Sequence, residues 1–232
     1  MKEYRYIIFD ADQTLIDFFE DERRAIRAVF SAIGKQASGE QVADIRRFSD
    51  ENWVELGLFE VHTAHVQQNF HALYYRHLED VVNYAAEKYS FEERREAAGK
   101  VFFETLCRPA TLFPDALDTV KVLSERYRIC IATNGIAKMQ RGRLAPFSPY
   151  VSHLLISEEM GAIKPSGAFF ADMLRILCAK ASECLMVGDS ISSDIAGATA
   201  AGMDSILLDR TGINGQSPAI CTVSSLHELL EL

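Results

Sequence analysis

Two aspartates stand two residues apart directly after a short apolar run. Asp10 and Asp12 follow Tyr6-Ile7-Ile8-Phe9, and Thr14 comes next. In an extended segment alternate side chains point the same way, so both carboxylates start on a common side. Paired carboxylates at a strand end suit metal binding, proton transfer or nucleophilic attack. An Asp-rich turn that merely ends a strand looks the same. Other residues must decide between the two.

Three further stretches bear on that choice. Thr133-Asn134-Gly135 follows the apolar run Ile129 to Ala132, and Lys164-Pro165 lies just past "SEEMGAI". Gly188-Asp189-Ser190 follows Cys184 to Val187, with Asp194 four residues beyond Ser190. Singly they read as a plain turn, a solvated charge and a helix N-cap. Together they set carboxylates, a hydroxyl and a lysine at the ends of apolar strands, where parallel sheets bind ligands.

The elements that must hold these residues alternate. Tyr6 to Phe9, Ile129 to Ala132, His153 to Ile156, Cys184 to Val187 and Ser205 to Leu208 read as short buried strands. Helical patterns lie between them at Lys138 to Leu144, Ser166 to Cys178 and Ile191 to Ala201, and Ser225 to Leu232 closes the chain as a helix. A further helix carries Ala116, Val120, Leu123 and Tyr127. This alternation predicts an α/β fold, a Rossmann-like doubly wound parallel sheet covered on both faces. One stretch breaks it. After Asp17 comes a helix with Ile26, Val29, Phe30 and Ile33 on one face, and three more helical segments follow from Ser38 to about Cys107, the longest near Val61 to Lys88. An all-helical cap over residues 17–107, inserted into a core of 1–16 and 108–232, accounts for both patterns.

Composition fits a folded protein of ordinary kind. Hydrophobic residues make up 48% of the 232 and charged ones 25%, enough for a sizeable core. A formal net charge of −9 lacks the basic footprint of a nucleic-acid binder. No apolar run spans a bilayer, and "MKEYRYIIFDAD" turns acidic too soon for a signal peptide. Five scattered cysteines form no CxxC and read as structural thiols in a reducing compartment. The expected setting is cytoplasmic, without nucleic-acid or membrane partners.

The motifs, taken in order, resemble the haloacid dehalogenase superfamily: "DxDxT", "TNG", Lys-Pro, then "GDSxxxD" followed by "GAxxAG". "ISEEMGAIKP", "LMVGDSISSDIAGATAAG" and "TVSSLHEL" are most similar to its bacterial house-cleaning nucleoside 5′-monophosphatases, more so after residue 128 than in the cap. The resemblance implies a Mg²⁺-dependent phosphatase with a small phosphorylated substrate, most closely a nucleoside monophosphate. A sugar-phosphate phosphatase or phosphomutase shares every core motif, and a catalytically silent binding protein of this fold is the remaining alternative.

The same resemblance implies the roles. Asp10 is the nucleophile that forms an aspartyl-phosphate, and Asp12 the acid and then base whose backbone carbonyl also faces the metal. Asp189 is a metal ligand, and Asp194 a further ligand or an anchor for metal-bound water. Thr133, with backbone donors near Asn134 and Gly135, holds the phosphoryl oxygens beside Lys164, while Thr14 fixes the loop. The four aspartates carry −4; Mg²⁺ and Lys164 return +3, so binding a phosphate dianion needs both cations and is helped by a proton on Asp12. The dehalogenases of the superfamily lack an acid at the Asp12 position, so its presence favours phosphoryl transfer.

Specificity falls to the cap. Trp53 offers a stacking surface for a base, with Asn52 and Glu55 as hydrogen-bonding partners, and Phe59 and Tyr74 are further aromatic candidates; aromatic residues at helical spacing are otherwise core. His62 and His65, three apart, lack a third zinc ligand nearby. His77, on an apolar helix face, reads as a packing residue.

Overall fold

The strands are continuously apolar because both of their faces are covered. Ile7 and Phe9 of the first strand enter one hydrophobic cluster with Ile131, Val187 and Leu208, while Tyr6 and Ile8 enter another with Cys130, Met186 and Phe170. The computed structural model describes residues 3–213 and 215–231.

Tyr6–Phe9 forms β1, followed by helices α1 (Phe18–Ala32), α2 (Gly39–Glu55), α3 (Ala64–Lys88), α4 (Arg95–Leu106) and α5 (Ala116–Ser124). Then come β2 (Arg128–Thr133), α6 (Ala137–Arg143), β3 (Val151–Ile156), a single helical turn α7 (Ser157–Met160) and α8 (Gly167–Leu177). The chain continues through β4 (Cys184–Gly188), α9 (Ala196–Ala200), β5 (Asp204–Leu208) and β6 (Cys221–Val223). All strand pairs are parallel, in the order β3-β2-β1-β4-β5-β6. The order reverses beside β1, which opens a crevice at the carboxyl ends of β1 and β4.

Local signals start the inserted helices. Asp17 caps α1 by accepting from Glu20 N at 3.0 Å, Ser38 and Gln41 form a reciprocal capping box on α2, and Thr63 caps α3. Between β1 and β2, α1 to α4 bury Ile26, Phe30, Ile45, Phe70 and Phe102 in a third cluster. That cluster also takes in Ile136, Met139 and Ile163. Those residues border Gly135 and Lys164, so the helical insert packs directly against the loops that follow β2 and β3.

The chain differs from its sequence pattern mainly after β4. The expected helix from Ile191 to Ala201 begins as a π-helical turn, Ile191–Ile195, and becomes α-helical only at α9. The expected closing helix is a 3₁₀ helix, Leu226–Glu231, which buries Leu226 and Leu229 at its own three-residue spacing. Leu232 lies outside the described residues. The strand β6 was not expected: it is three residues long at the sheet edge, and only Val223 is buried. No helix among the described residues is long and apolar enough to cross a membrane.

Candidate active site

Asp10 lies one residue beyond β1, tied to β4 by its N–H to Val187 O at 2.8 Å. Asp189 lies one residue beyond β4. The π-helical turn brings Asp194 back toward both: Ile195 N reaches Ser190 O, and the Asp194 carboxylate sits under Ser190 N at 3.2 Å. Gly188 makes the approach possible, because a Cβ there would overlap that carboxylate. One oxygen from each of Asp10, Asp189 and Asp194 lies within 4.8 Å of the others.

Lys164 enters this group from the loop after β3. Its Nζ donates to Asp10 Oδ1 at 2.6 Å, to Asp194 Oδ1 at 2.6 Å and to Ala132 O at 2.7 Å. Asn134 holds the lysine's backbone: Lys164 N donates to Asn134 Oδ1, and Asn134 Nδ2 donates to Lys164 O. The segment after β2 thus fixes the segment after β3.

Charge in this cluster is unbalanced. Burial pushes the Asp10 carboxyl up; Lys164 opposes this, Asp194 and Asp189 add to it, and the group sits well above the carboxylate range. Burial and then the Asp194 charge push Asp189 up to about 7, against the hydrogen bond it accepts from Thr14 Oγ1 at 3.1 Å. Burial alone would lower Lys164, but Asp10 and Asp194 more than reverse that and leave it above its ordinary value. Fully ionised, three carboxylates against one ammonium would leave two negative charges over. An all-oxygen donor set with that excess fits a hard divalent cation such as Mg²⁺.

Asp12 faces a different set of partners. Gln140 Nε2 donates to Asp12 Oδ2 at 2.7 Å and to Thr133 Oγ1 at 2.8 Å. Arg143 Nη1 forms an ion pair with Asp12 Oδ1 at 2.6 Å, without the alignment of a hydrogen bond. The guanidinium is fully buried and also pairs with buried Asp21 at 3.2 Å, while its Nη1 donates to Gln140 Oε1. Gln140 and Arg143, three apart on one face of α6, were missed in the sequence. Their position shortly after Thr133 gave no sign that Asp12 and Asp21 face them.

The expected site residues divide as follows. A cavity of about 300 Å³ is bordered by Asp10, Asp12, Asn134, Lys164 and Asp189 and also by Trp53 and Tyr74 from α2 and α3. Thr133 and Asp194 are buried behind it. Gly135 donates its N–H to Ser157 Oγ at 3.0 Å and does not border the cavity. Neither does Glu55 or Asn52, whose amide engages His77 and Asp80. Gln13, in the left-handed region at φ 60°, borders the cavity with its Nε2 buried and without a protein partner among the described residues.

The sequence matches the family described as haloacid dehalogenase-like hydrolases over residues 4–202. It is 28% identical to a pyrimidine 5′-nucleotidase, PynA, of Streptococcus pneumoniae, over 98% of this chain and 94% of that one. It is also 28% identical to the pyrimidine 5′-nucleotidase YjjG of Escherichia coli, over 99% and 98% of the two chains. The crystal structure of the HAD-hydrolase YfnB of Bacillus subtilis, bound to magnesium, shares the fold with a TM-score of 0.76, covering 99% of this chain and 98% of that chain at 24% identity.

Proposed function

This chain belongs to the haloacid dehalogenase-like hydrolases, and from that premise we propose that it is a Mg²⁺-dependent phosphatase of nucleoside 5′-monophosphates, pyrimidine ones foremost. One observation carries this reading. A single cavity is lined both by a carboxylate–lysine cluster, suited to phosphate, and by aromatic side chains including Trp53 and Tyr74, suited to a base. The two full-length relatives named pyrimidine 5′-nucleotidases support it.

Asp10, Asp189 and the backbone carbonyl of Asp12 would hold the metal, with Asp194 as ligand or anchor. Bound there, Mg²⁺ supplies the positive charge that offsets these carboxylates and the phosphoryl oxygens. Lys164 holds Asp10 by Oδ1, leaving Oδ2 as the attacking atom. That oxygen bonds to phosphorus as the ester P–O bond breaks, and Asp12 gives its proton to the departing 5′-oxygen. Water then attacks the aspartyl-phosphate, Asp12 takes its proton, and inorganic phosphate leaves with Asp10 restored. The donors of Gln140 and Arg143 are partners for a carboxylate, the form Asp12 has once its first proton is gone. Thr133, Asn134 and Lys164 line up behind the phosphoryl group, and Gln13 Nε2 is a free donor for a substrate oxygen. Trp53 supports the base, and a stacked base is worth about 1–3 kcal/mol by analogy with single-stranded nucleic-acid sites.

The test is a substrate comparison. Nucleoside 5′-monophosphates are expected to exceed ribose 5-phosphate in kcat/KM by roughly tenfold to a hundredfold, and Trp53→Ala to narrow that gap. A better rate on ribose 5-phosphate would remove the nucleotidase reading and leave a sugar-phosphate phosphatase.

A further inference from the structure

Tyr74 of α3 carries a hydroxyl that the fold does not use. The residue is only 5% exposed and borders the cavity. Its ring stands edge-on to Trp53, with centroids 5.1 Å apart at 90°, and packs against Phe70 at 5.9 Å and His77 at 6.3 Å. That packing fixes the direction of the C–O bond.

A buried tyrosine hydroxyl ordinarily finds a hydrogen-bond partner. Tyr74 Oη has none among the described residues, yet it is not sealed inside protein. With so little of the residue exposed, that oxygen opens on the cavity it borders. A phenol is a protonated donor at neutral pH in any surroundings. Here burial and then the Asp12 charge raise it further, against Arg143, so the hydroxyl looks toward the Asp12 side of the site. Asp12 itself gives one oxygen to Gln140 and the other to Arg143. The phenol proton is left for a ligand.

We propose that Tyr74 Oη donates a hydrogen bond to the ester oxygen of the substrate, the atom to which Asp12 passes its proton. As the P–O bond breaks, negative charge grows on that oxygen, and a fixed donor stabilises it more in the transition state than before. Asp12 supplies the proton; the phenol keeps its own and makes no covalent bond. The inference rests on the phosphatase reading and deepens it, since it adds a catalytic residue from the helical insert.

The test is Tyr74→Phe in the whole protein, assayed with Mg²⁺ on UMP, benzyl phosphate and 4-nitrophenyl phosphate. Benzyl phosphate lacks sugar and base but expels an alkoxide, as UMP does. The nitrophenyl ester is of similar size and expels a stable phenolate that scarcely needs a donor. kcat/KM should fall about tenfold to a hundredfold on UMP and on benzyl phosphate, the scale of a hydrogen bond to a charged group, and much less on 4-nitrophenyl phosphate. Equal losses on the two small esters would overturn the proposal. So would a loss on UMP alone, which would give the hydroxyl to the sugar or the base. The unfolding temperature should match wild type, because no bond within the protein is removed. A variant that melts well below wild type, or fails to fold, would show that the hydroxyl is structural and overturn the proposal as well. A wild type no better on UMP than on ribose 5-phosphate, with the contrast between the small esters intact, would remove only the nucleotidase reading. No hydrolysis of any ester would remove both.

Discussion

Asp10 is held on one side only. Lys164 takes Oδ1, and Oδ2 finds no hydrogen-bond partner among the described residues, so one oxygen is positioned and the other is available. Asp10→Asn keeps the shape and removes the nucleophile. Turnover should fall by about 10⁴ or more, the scale on which catalysts that work as a unit fail when one part is lost, while the unfolding temperature stays close to wild type. Retained activity, once deamidation is excluded, would refute covalent catalysis at this residue. Asp10 and Asp189 were legible in the sequence because each comes directly after an apolar run that reads as a buried strand, which fixes where the next side chain emerges. Lys164 and Asp194 stand further from their strands and were picked out by motif order. Gln140 and Arg143 were not. Helical spacing shows that they share a face of α6, but what that face meets is set by tertiary structure: Asp12 is 128 residues from Gln140 and Asp21 is 122 from Arg143. The Asn52 contact with substrate, expected from its place beside Trp53, gives way to its bonds with His77 and Asp80, since neighbours on a helix face in different directions.

At the scale of elements, the segment after β4 matters most. Its first turn is π-helical, and the wider turn sets Asp194 under Ser190 N and against Gly188. Motif spacing alone could not reveal that turn, because the same residues suit an ordinary helix. A similar limit hid β6: three edge residues with one buried side chain carry too little alternation to read as a strand. The structure makes Gly188 a test of the arrangement. Gly188→Ala must push the Asp194 carboxylate aside and with it the 2.6 Å contact to Lys164. Overpacking of this kind costs about 1–3 kcal/mol, so the protein should stay folded at room temperature while kcat falls by roughly a hundredfold, a typical penalty for a site misplaced by an ångström. A variant with wild-type kcat would show that Asp194 need not sit where it does.

Two charged networks shape the stability of the whole molecule, and they run in opposite directions with pH. The carboxylate cluster concentrates like charge, so a divalent cation should stabilise the fold. At about a hundred times its dissociation constant, Mg²⁺ should add about 2.7 kcal/mol, or roughly 5–10 °C in unfolding temperature for a chain of this size. Chelation should abolish turnover, and Asp189→Asn should shrink the thermal shift; a full shift in that variant would move the metal elsewhere. Asp189, raised in the folded state, contributes stability below its unfolded value that is lost as pH rises through about 7. His77 does the reverse. Its ring is held neutral, down to about 4 from an ordinary 6.5, so its stability is present above 6.5 and is lost as pH falls toward 4. Between about pH 7.5 and about pH 5 that loss comes to about 2 kcal/mol. The wild-type profile alone mixes both groups, but His77→Gln removes one and keeps the other. Urea unfolding of the two proteins should therefore diverge on acidification, with the wild type losing about 2 kcal/mol more than the variant across that window. Parallel profiles would mean that His77 is not held neutral in the folded protein.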